Sequence, residues 1–410
     1  MKKKLMSIML VAAMTVTTLA GCGSAASTEA TDAAATEETT AADESADAAG
    51  AAETATVEGA ETFLIGGIGP LTGGAASYGI SVKQGAEIAI NEINAAGGVT
   101  VGDTTYQLAL AFEDDEASEE KSPQAYNTLM DQGINALMGT VTSGACLAIT
   151  DLTYEDNILM VTPSGSAQDC TKNPNAFRIC FTDPMQGDTM ADYIVNTMGY
   201  KNIAVIFNNA DEYSTGIKDA FEAKVAELGG TISASESFVT DDVDFNTQLT
   251  SIKGTDAECI FVPAYYNDAT YITKQAKELG MELPFFGSDG WDGVLGTVTD
   301  AATVEGAVFL SPFFAADTAE NVAAFVSAYK TAYSDATPDQ FAADAYDSIY
   351  VIKAAMEQAG SIESDALIAA MTEIEINGLT GDNMSFTADG EPNKGAKFIK
   401  IVNGEYTAAE

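Results

Sequence analysis

The sequence predicts an α/β protein built from two doubly wound parallel-sheet lobes. Apolar runs of strand length alternate with helix-length segments from residue 63 onward, the order that buries a parallel sheet under helices on both faces. The alternation continues for about 120 residues and then restarts at Asn202, enough chain each time for a lobe of its own. Residues 136–166 read as a β-α-β unit. Two apolar runs, Ala136-Leu137-Met138-Gly139 and Ile158-Leu159-Met160-Val161, each end in small hydroxyl and glycine residues, with a helical segment between them. The carboxyl ends of parallel strands lie along one sheet edge, where ligands dock.

The chain opens with Lys2, Lys3 and Lys4, then an apolar, threonine-containing run over 5–20 that is too short and too weak for a membrane span. That run ends in Leu19-Ala20-Gly21-Cys22, which matches the lipobox of bacterial lipoproteins: small residues admit the peptidase, and the cysteine thiol takes a diacylglyceryl group. The expectation is a signal peptide over 1–21 and a lipidated Cys22 that anchors the protein without spanning the membrane; the alternative is a signal peptide with a chance cysteine. Residues 23–61 contain no Lys, Arg or aromatic residue and are rich in Ala, Thr, Ser, Glu and Asp. Such a segment cannot bury enough apolar surface to order itself, and its like charges extend it. Residues 22–61 therefore read as a lipidated cysteine followed by a disordered acidic tether.

Residues 63–68 form the first strand, and Gly69-Pro70-Leu71-Thr72-Gly73-Gly74 lead into a helix over 77–95. That loop is a poor dinucleotide fingerprint, because Thr72 stands where the third glycine belongs and Pro70 offers no amide; no cofactor is expected. A strand at 107–112 ends in the acidic stretch 113–116, and Ser122-Pro123 open a helix, with proline tolerated in the first turn. After the β-α-β unit, residues 175–181 form an extended piece with the only arginine, Arg178. The second run places strands at 202–207, 231–238, 257–262 and 284–286 and helices at 217–228, 244–253 and 268–279. A strand at 304–310 is followed by helices at 319–333, 339–358 and 364–371, which have no strands of their own and so return to cover the first lobe. Short strand-like pieces at 383–387 and 397–402 close the chain.

With 410 residues, 46 % of them hydrophobic, the chain can bury sizeable cores. Its 61 Asp and Glu against 18 Lys and Arg give a formal net charge of −43, which repels phosphate backbones and argues against a nucleic-acid partner. Histidine is absent, which removes Ser-His and Cys-His catalysis and histidine metal sites. There is no Gly-x-Ser-x-Gly elbow either. An enzyme, such as an amidase-like hydrolase, would need carboxylate, lysine or tyrosine chemistry. The acidic stretches 113–116 and 241–244 lack the ligand spacing of a calcium loop and read as solvated loop ends or caps. No C-x-x-C suggests zinc, so no metal is expected. Cys170 and Cys180 are near enough in sequence to clip a loop, while Cys146 and Cys259 read as free buried thiols.

The residues that carry chemistry cluster at strand ends. Ser143 sits where a strand turns into a helix, beside unpaired helix-start amides, and Ser164 and Ser166 sit at the neighbouring strand end. Amides and hydroxyls so placed make a socket for a small carboxylate. The competing reading makes Ser143 an N-cap and the other two serines a turn.

With these strand ends in view, the chain resembles the extracytoplasmic solute-binding proteins of branched-chain amino-acid ABC transporters, the leucine/isoleucine/valine-binding protein family, which have the type I periplasmic-binding-protein fold. The resemblance covers nearly everything after the tether. Its marks are Gly66-Gly67-Ile68-Gly69-Pro70-Leu71-Thr72-Gly73 with Tyr78-Gly79, Gly85-Ala86-Glu87-Ile88-Ala89, Ile93-Asn94-Ala95-Ala96-Gly97-Gly98-Val99, Asp114-Asp115, the run from Met160 through Ser166, and Tyr213-Ser214-Thr215-Gly216.

The resemblance implies a non-catalytic receptor that hands an amino acid to ABC permease subunits, held to the membrane by its N-terminal lipid. It implies a three-segment hinge, with lobe I at 62–181 plus 313–397 and lobe II at 182–312 plus 398–410. Ser143 and the Ser166 amide would hold the ligand's α-carboxylate. The Ser164 carbonyl, the Ser166 hydroxyl and Asp289 would hold the α-ammonium. Tyr78, Tyr213 and Tyr265 would wall the cleft, and Phe341 would border the side-chain pocket. Asp289 stands where leucine-binding members often carry Glu, so its shorter arm must come closer or work through water. The only tryptophan, Trp291, is either a pocket wall or core packing. The disulfide that some relatives carry near the second strand is absent here. A sensory module that reports ligand to a separate receptor would look the same in sequence.

Overall fold

The computed structural model describes residues 55–409. Two sheets organise them. The first contains β1 (Glu61–Gly69), β2 (Val99–Val101), β3 (Thr104–Asp114), β4 (Ala136–Gly139), β5 (Met160–Thr162) and β6 (Ala176–Arg178) in the order β2-β3-β1-β4-β5-β6. All neighbours are parallel except the β2–β3 pair. The second contains β7 (Asn202–Asn208), β8 (Thr231–Phe238), β9 (Cys259–Val262), β10 (Phe285–Gly287), β11 (Val308–Ser311), β12 (Lys397–Val402) and β13 (Glu405–Ala408) in the order β13-β12-β11-β10-β9-β7-β8. Its parallel part is extended by antiparallel β12 and β13. In each sheet the strand order reverses beside the lobe's first strand, β1 or β7, which opens a crevice at the carboxyl edge. The central strands β4, β5, β9, β10 and β11 are buried along their whole length, as expected of strands covered on both faces, and their sequences are correspondingly continuous apolar runs.

Among the described residues, ten α-helices cover the sheets: α1 (Ala76–Ala95), α2 (Ser122–Gln132), α3 (Ser143–Glu155), α4 (Asp183–Asp192), α5 (Glu212–Glu227), α6 (Asn246–Lys253), α7 (Tyr266–Glu278), α8 (Glu320–Ala332), α9 (Gln340–Ala359) and α10 (Ser364–Ala370). The late helices return to the first sheet's side. α9 packs along α1 so closely that a Cβ on Gly85 would lie 1.9 Å from the Ala342 carbonyl oxygen; only glycine permits that approach. The chain passes between the sheets after β6, after β11 and before β12, giving the type I periplasmic-binding-protein fold.

Some expectations shift. Residues 383–387 make only isolated bridges, Ile376 with Met384 and Phe386 with Pro392, rather than a strand. The strand expected over 304–310 is confined to β11, and a 3₁₀ turn, Ala301–Thr303, precedes it. Cys146, Cys170, Cys180 and Cys259 are all buried free thiols, so Cys170 and Cys180 clip no loop. Val57 N donates to Gln107 Oε1 at 3.3 Å, which ties down the last residues of the expected tether. The signal peptide, Cys22 and the tether up to residue 54 lie outside the described residues. No described helix is long and apolar enough to cross a membrane.

Candidate functional site

The carboxyl edges of the two sheets face each other across a narrow space. The first sheet brings Tyr78 on α1, Val141 to Ser143 after β4, and Ser164 after β5. The second brings Tyr213 on α5, Tyr265 after β9, and Asp289 and Gly290 after β10, while Phe341 enters on α9. Of the nine ligand residues expected from sequence, seven border this space; Ser166 and Trp291 do not.

Thr142 is the N-cap of α3 and makes no side-chain capping bond, so Ser143 is not the cap but the first helical residue. The Ser143 oxygen instead accepts the amides of Ser166 at 3.2 Å and Ala167 at 3.1 Å, which joins the ends of β4 and β5. Its own proton is uncommitted and can be donated to an anion, next to first-turn amides that carry partial positive charge. The Ser166 amide, expected to meet a carboxylate directly, is committed to Ser143, and Ser166 stands behind the space rather than on it. Ser164 Oγ donates to the Val141 carbonyl at 2.7 Å. Behind this edge, Arg178 is fully buried. Its guanidinium donates to the carbonyls of Gly165, Ala167 and Gln168 at 2.8 to 3.0 Å, to Thr171 Oγ1 at 3.0 Å, and to Glu391. The planar five-donor fork suits this cluster of acceptors and fixes the turn that carries the serines.

Asp289 faces them from the other lobe, 4 % exposed. The Tyr213 hydroxyl lies 2.6 Å from Asp289 Oδ1 and 2.7 Å from Ser288 Oγ. It has a single proton, which goes to the carboxylate, while the Ser288 hydroxyl and the Gly290 amide at 2.8 Å donate to the tyrosine oxygen. Burial raises the Asp289 pKa to about 6, held back by bonds from Tyr213, Gln186, the Gly290 amide and Gln340. The backbone of Asp289 is gripped as well: its amide donates to Gln186 Oε1 at 3.0 Å, and its carbonyl accepts from Gln340 Nε2 at 2.9 Å.

The walls are aromatic. Tyr213 and Tyr265 stack at 5.0 Å, and Tyr78 lies 4.2 Å from Phe341 and 5.6 Å from Tyr265, centroid to centroid. Tyr78 also bridges the lobes, donating to the Gly290 carbonyl and accepting the Tyr266 amide at 3.1 Å. Trp291 is no wall. It is wholly buried, its indole N–H donates to the Val262 carbonyl at 2.9 Å, and it packs beside Phe285. A Cβ on Gly287 would lie 2.4 Å from the indole, so the bulky ring fills the space a side chain would need there. Toward solvent, the cleft widens between Glu119 on one side and Asp211 and Asp268 on the other. Burial raises both aspartates to about 7, with neighbouring carboxylates adding to the shift.

Several participants were missed in the sequence. Val141, Thr142 and Gly290 are ordinary loop residues there; Gln186 and Gln340 act through pairings of 103 and 51 residues' separation, for which the sequence carries no local signal. Among the described residues, no group of three or more Cys, Asp or Glu is placed to hold a metal.

A family model described as periplasmic binding protein matches residues 62–405, well over half the chain. The chain belongs to the periplasmic binding protein family. That family consists of solute-binding proteins. This binding protein is 32 % identical over 307 residues to Leu/Ile/Val-binding protein homolog 3 of Brucella melitensis, covering 74 % of this chain and 81 % of that one. Among solved structures it is similar to the branched-chain amino acid transporter substrate-binding protein LivJ of Streptococcus pneumoniae in complex with isoleucine. That match has 31 % identity and a TM-score of 0.78, over 85 % of this chain and 99 % of that one. It is also similar to the leucine-binding protein LivK of Thermotoga maritima, with 27 % identity and a TM-score of 0.77, over 85 % and 97 %. The resemblance read in the sequence thus holds in both sequence and structure comparisons.

Proposed function

We propose that this binding protein captures an amino acid, branched-chain or otherwise apolar, between its lobes and delivers it to an ABC transporter permease from a lipid anchor at Cys22. One observation carries the reading. An uncommitted hydroxyl proton at a helix start, on Ser143, faces a buried carboxylate, Asp289, across a single small aromatic-walled space. A zwitterion leaving water needs both of its charges answered. Neutral donors at a helix start answer the carboxylate. The ammonium, which has no such backbone partner here, is answered by an anionic side chain. Tyr78, Tyr265 and Phe341 offer apolar faces to the side chain, and the acidic mouth of the cleft opposes a second carboxylate. The charges of the ligand lie between the lobes, so binding and closure become one event. The sequence relatives and the isoleucine complex support the same ligand class.

Thermal-shift screening of the common amino acids is the test. Isoleucine, leucine or valine should stabilise the fold by about 2.7 kcal/mol at a hundredfold excess over Kd, and small-angle scattering should show compaction. A best ligand among acidic amino acids or sugars overturns the reading. Mass spectrometry of the mature N-terminus should find a diacylglyceryl group on Cys22, and an unmodified start elsewhere rejects the anchor.

A further inference from the structure

Thr142 and Tyr265 border the interlobe space from opposite lobes. Both also border the wider cleft toward solvent, so they stand where the two join. The other hydroxyls at this space have partners. Ser164 donates to the Val141 carbonyl, Tyr213 to Asp289, and Tyr78 to the Gly290 carbonyl. Ser143 accepts two amides and keeps one proton for a carboxylate. The hydroxyl oxygens of Thr142 and Tyr265 are buried, and neither has a hydrogen-bond partner. Thr142 as a whole is only 5 % exposed. A threonine at an N-cap ordinarily accepts an amide of the helix's first turn. Thr142 has the extended backbone of a cap, φ −95° and ψ 150°, yet its side chain makes no capping bond. Its carbonyl receives the Cys146 amide at 3.0 Å, so the backbone alone starts the helix and the hydroxyl is turned away from it. Buried polar groups are almost always partnered. Two unpartnered hydroxyls on the walls of one binding site therefore point to a polar group on what binds.

We propose that Thr142 and Tyr265 form a hydroxyl-recognising pair for the ligand's side chain, so that the site favours an amino acid with a side-chain hydroxyl, threonine first, over its apolar isostere valine. This rests on the amino-acid reading above and adds a polar branch to the side chains that it allows. A hydroxyl both donates and accepts, so a single ligand hydroxyl can serve both residues at once. The methyl of valine can do neither. A ligand that displaces water from these two hydroxyls without replacing its bonds leaves them orphaned in a closed site, which is how a polar pocket rejects an isostere that lacks the group. A side-chain carboxylate could also bond to them, but Glu119, Asp211 and Asp268 line the cleft just beyond and repel it. A neutral hydroxyl meets no such opposition.

Calorimetry with threonine and with valine, which match in shape, isolates the hydroxyl. The wild type should bind threonine roughly tenfold more tightly than valine. Thr142→Val keeps the branched shape and should bring the two affinities close together, weakening threonine and strengthening valine. Thr142→Ser restores the hydroxyl and should restore the preference. Tyr265→Phe keeps the ring that stacks on Tyr213 and should also reduce the preference. Valine binding as tightly as threonine to the wild type overturns the proposal even if a variant fails to fold. A preference that survives both Thr142→Val and Tyr265→Phe overturns it too. In either case isoleucine or leucine binding leaves the amino-acid reading standing. If no common amino acid binds the wild type, that reading fails and this proposal falls with it.

Discussion

Tyr213 reaches from the start of α5 to place its hydroxyl 2.6 Å from Asp289 Oδ1, and the same oxygen accepts the Gly290 amide at 2.8 Å. One side chain thus holds both the carboxylate and the turn that presents it. Tyr213→Phe leaves the ring to stack on Tyr265 and removes only the hydroxyl. A bond to a charged acceptor is worth about 1.5 to 3 kcal/mol, so ligand binding should weaken by that order. The Asp289 pKa should rise above about 6, since Tyr213 is the first of the bonds holding it down. Calorimetry between pH 5 and 8 reads both effects, and an unchanged pH midpoint would reject this role for the hydroxyl.

Asp289→Asn keeps the shape and removes the charge. Binding should weaken by about 2 to 5 kcal/mol, the cost of leaving a buried ammonium unpaired. Ser143→Ala differs in kind. Its oxygen accepts two buried amides, those of Ser166 and Ala167, and an orphaned buried donor costs about 1 to 3 kcal/mol. It should therefore lower stability before any ligand is added. Denaturant unfolding of the ligand-free variant checks this; unaltered stability would make Ser143 a ligand contact alone.

The sheets and the serine-rich strand ends were legible because parallel strands announce themselves as apolar runs ending in small residues, as at Met138-Gly139 and Val161-Thr162. Ser143 was legible from its place where a strand turns into a helix, whereas Tyr78, Tyr213, Asp289 and Phe341 came only from the family resemblance. Trp291 was not: a lone aromatic beside a site has the same local signature as a wall or as core, and the choice was made by Gly287, whose missing side chain leaves room for the ring, and by the carbonyl of Val262 in a strand it does not adjoin in sequence. The reach of Ser166 was misjudged because an amide's direction depends on the neighbouring strand end, where Ser143 captures it.

Tyr78 is one of the direct bonds between the lobes, joined to the Gly290 carbonyl and the Tyr266 amide. Tyr78→Phe should favour the open form, weaken ligand by about 1 to 2 kcal/mol, and speed its release. Stopped-flow dissociation and ligand-free scattering are the measurements. Slower release would contradict a locking role.

Arg178→Lys should be far from conservative. A single ammonium cannot serve three carbonyls, a threonine and Glu391 at once. Stability should fall by about 3 to 5 kcal/mol, the range for breaking a buried charged network. Affinity should fall with it, because the turn carrying Ser164 and Ser166 loses its clamp. Thermal unfolding with and without isoleucine separates the two effects.

The pH dependence of stability and of binding should run in opposite directions. Asp289 has a folded-state pKa of about 6, Asp211, Asp268 and Asp344 of about 7, and Asp292 of about 8, with burial the first cause in each. Each lies above the value of an unfolded aspartate, about 3.9, so the folded chain holds these protons more tightly. The stability they supply is complete below about pH 4 and is lost as pH rises through 6 to 8. A net charge of −43 adds self-repulsion of the same sign. Asp114, whose pKa is lowered by Thr72 and nearby amides, works against this only at the acid end. The ligand-free protein should therefore melt higher at pH 5 than at pH 8. With Asp289 as the proposed ammonium partner, amino-acid binding should need it ionised. Below pH 6 it should weaken by up to about tenfold per unit, as protons compete for the carboxylate that the ammonium requires. Melting curves and titrations over the same pH series test both signs. Binding that strengthens toward pH 5 would remove Asp289 from the ammonium site.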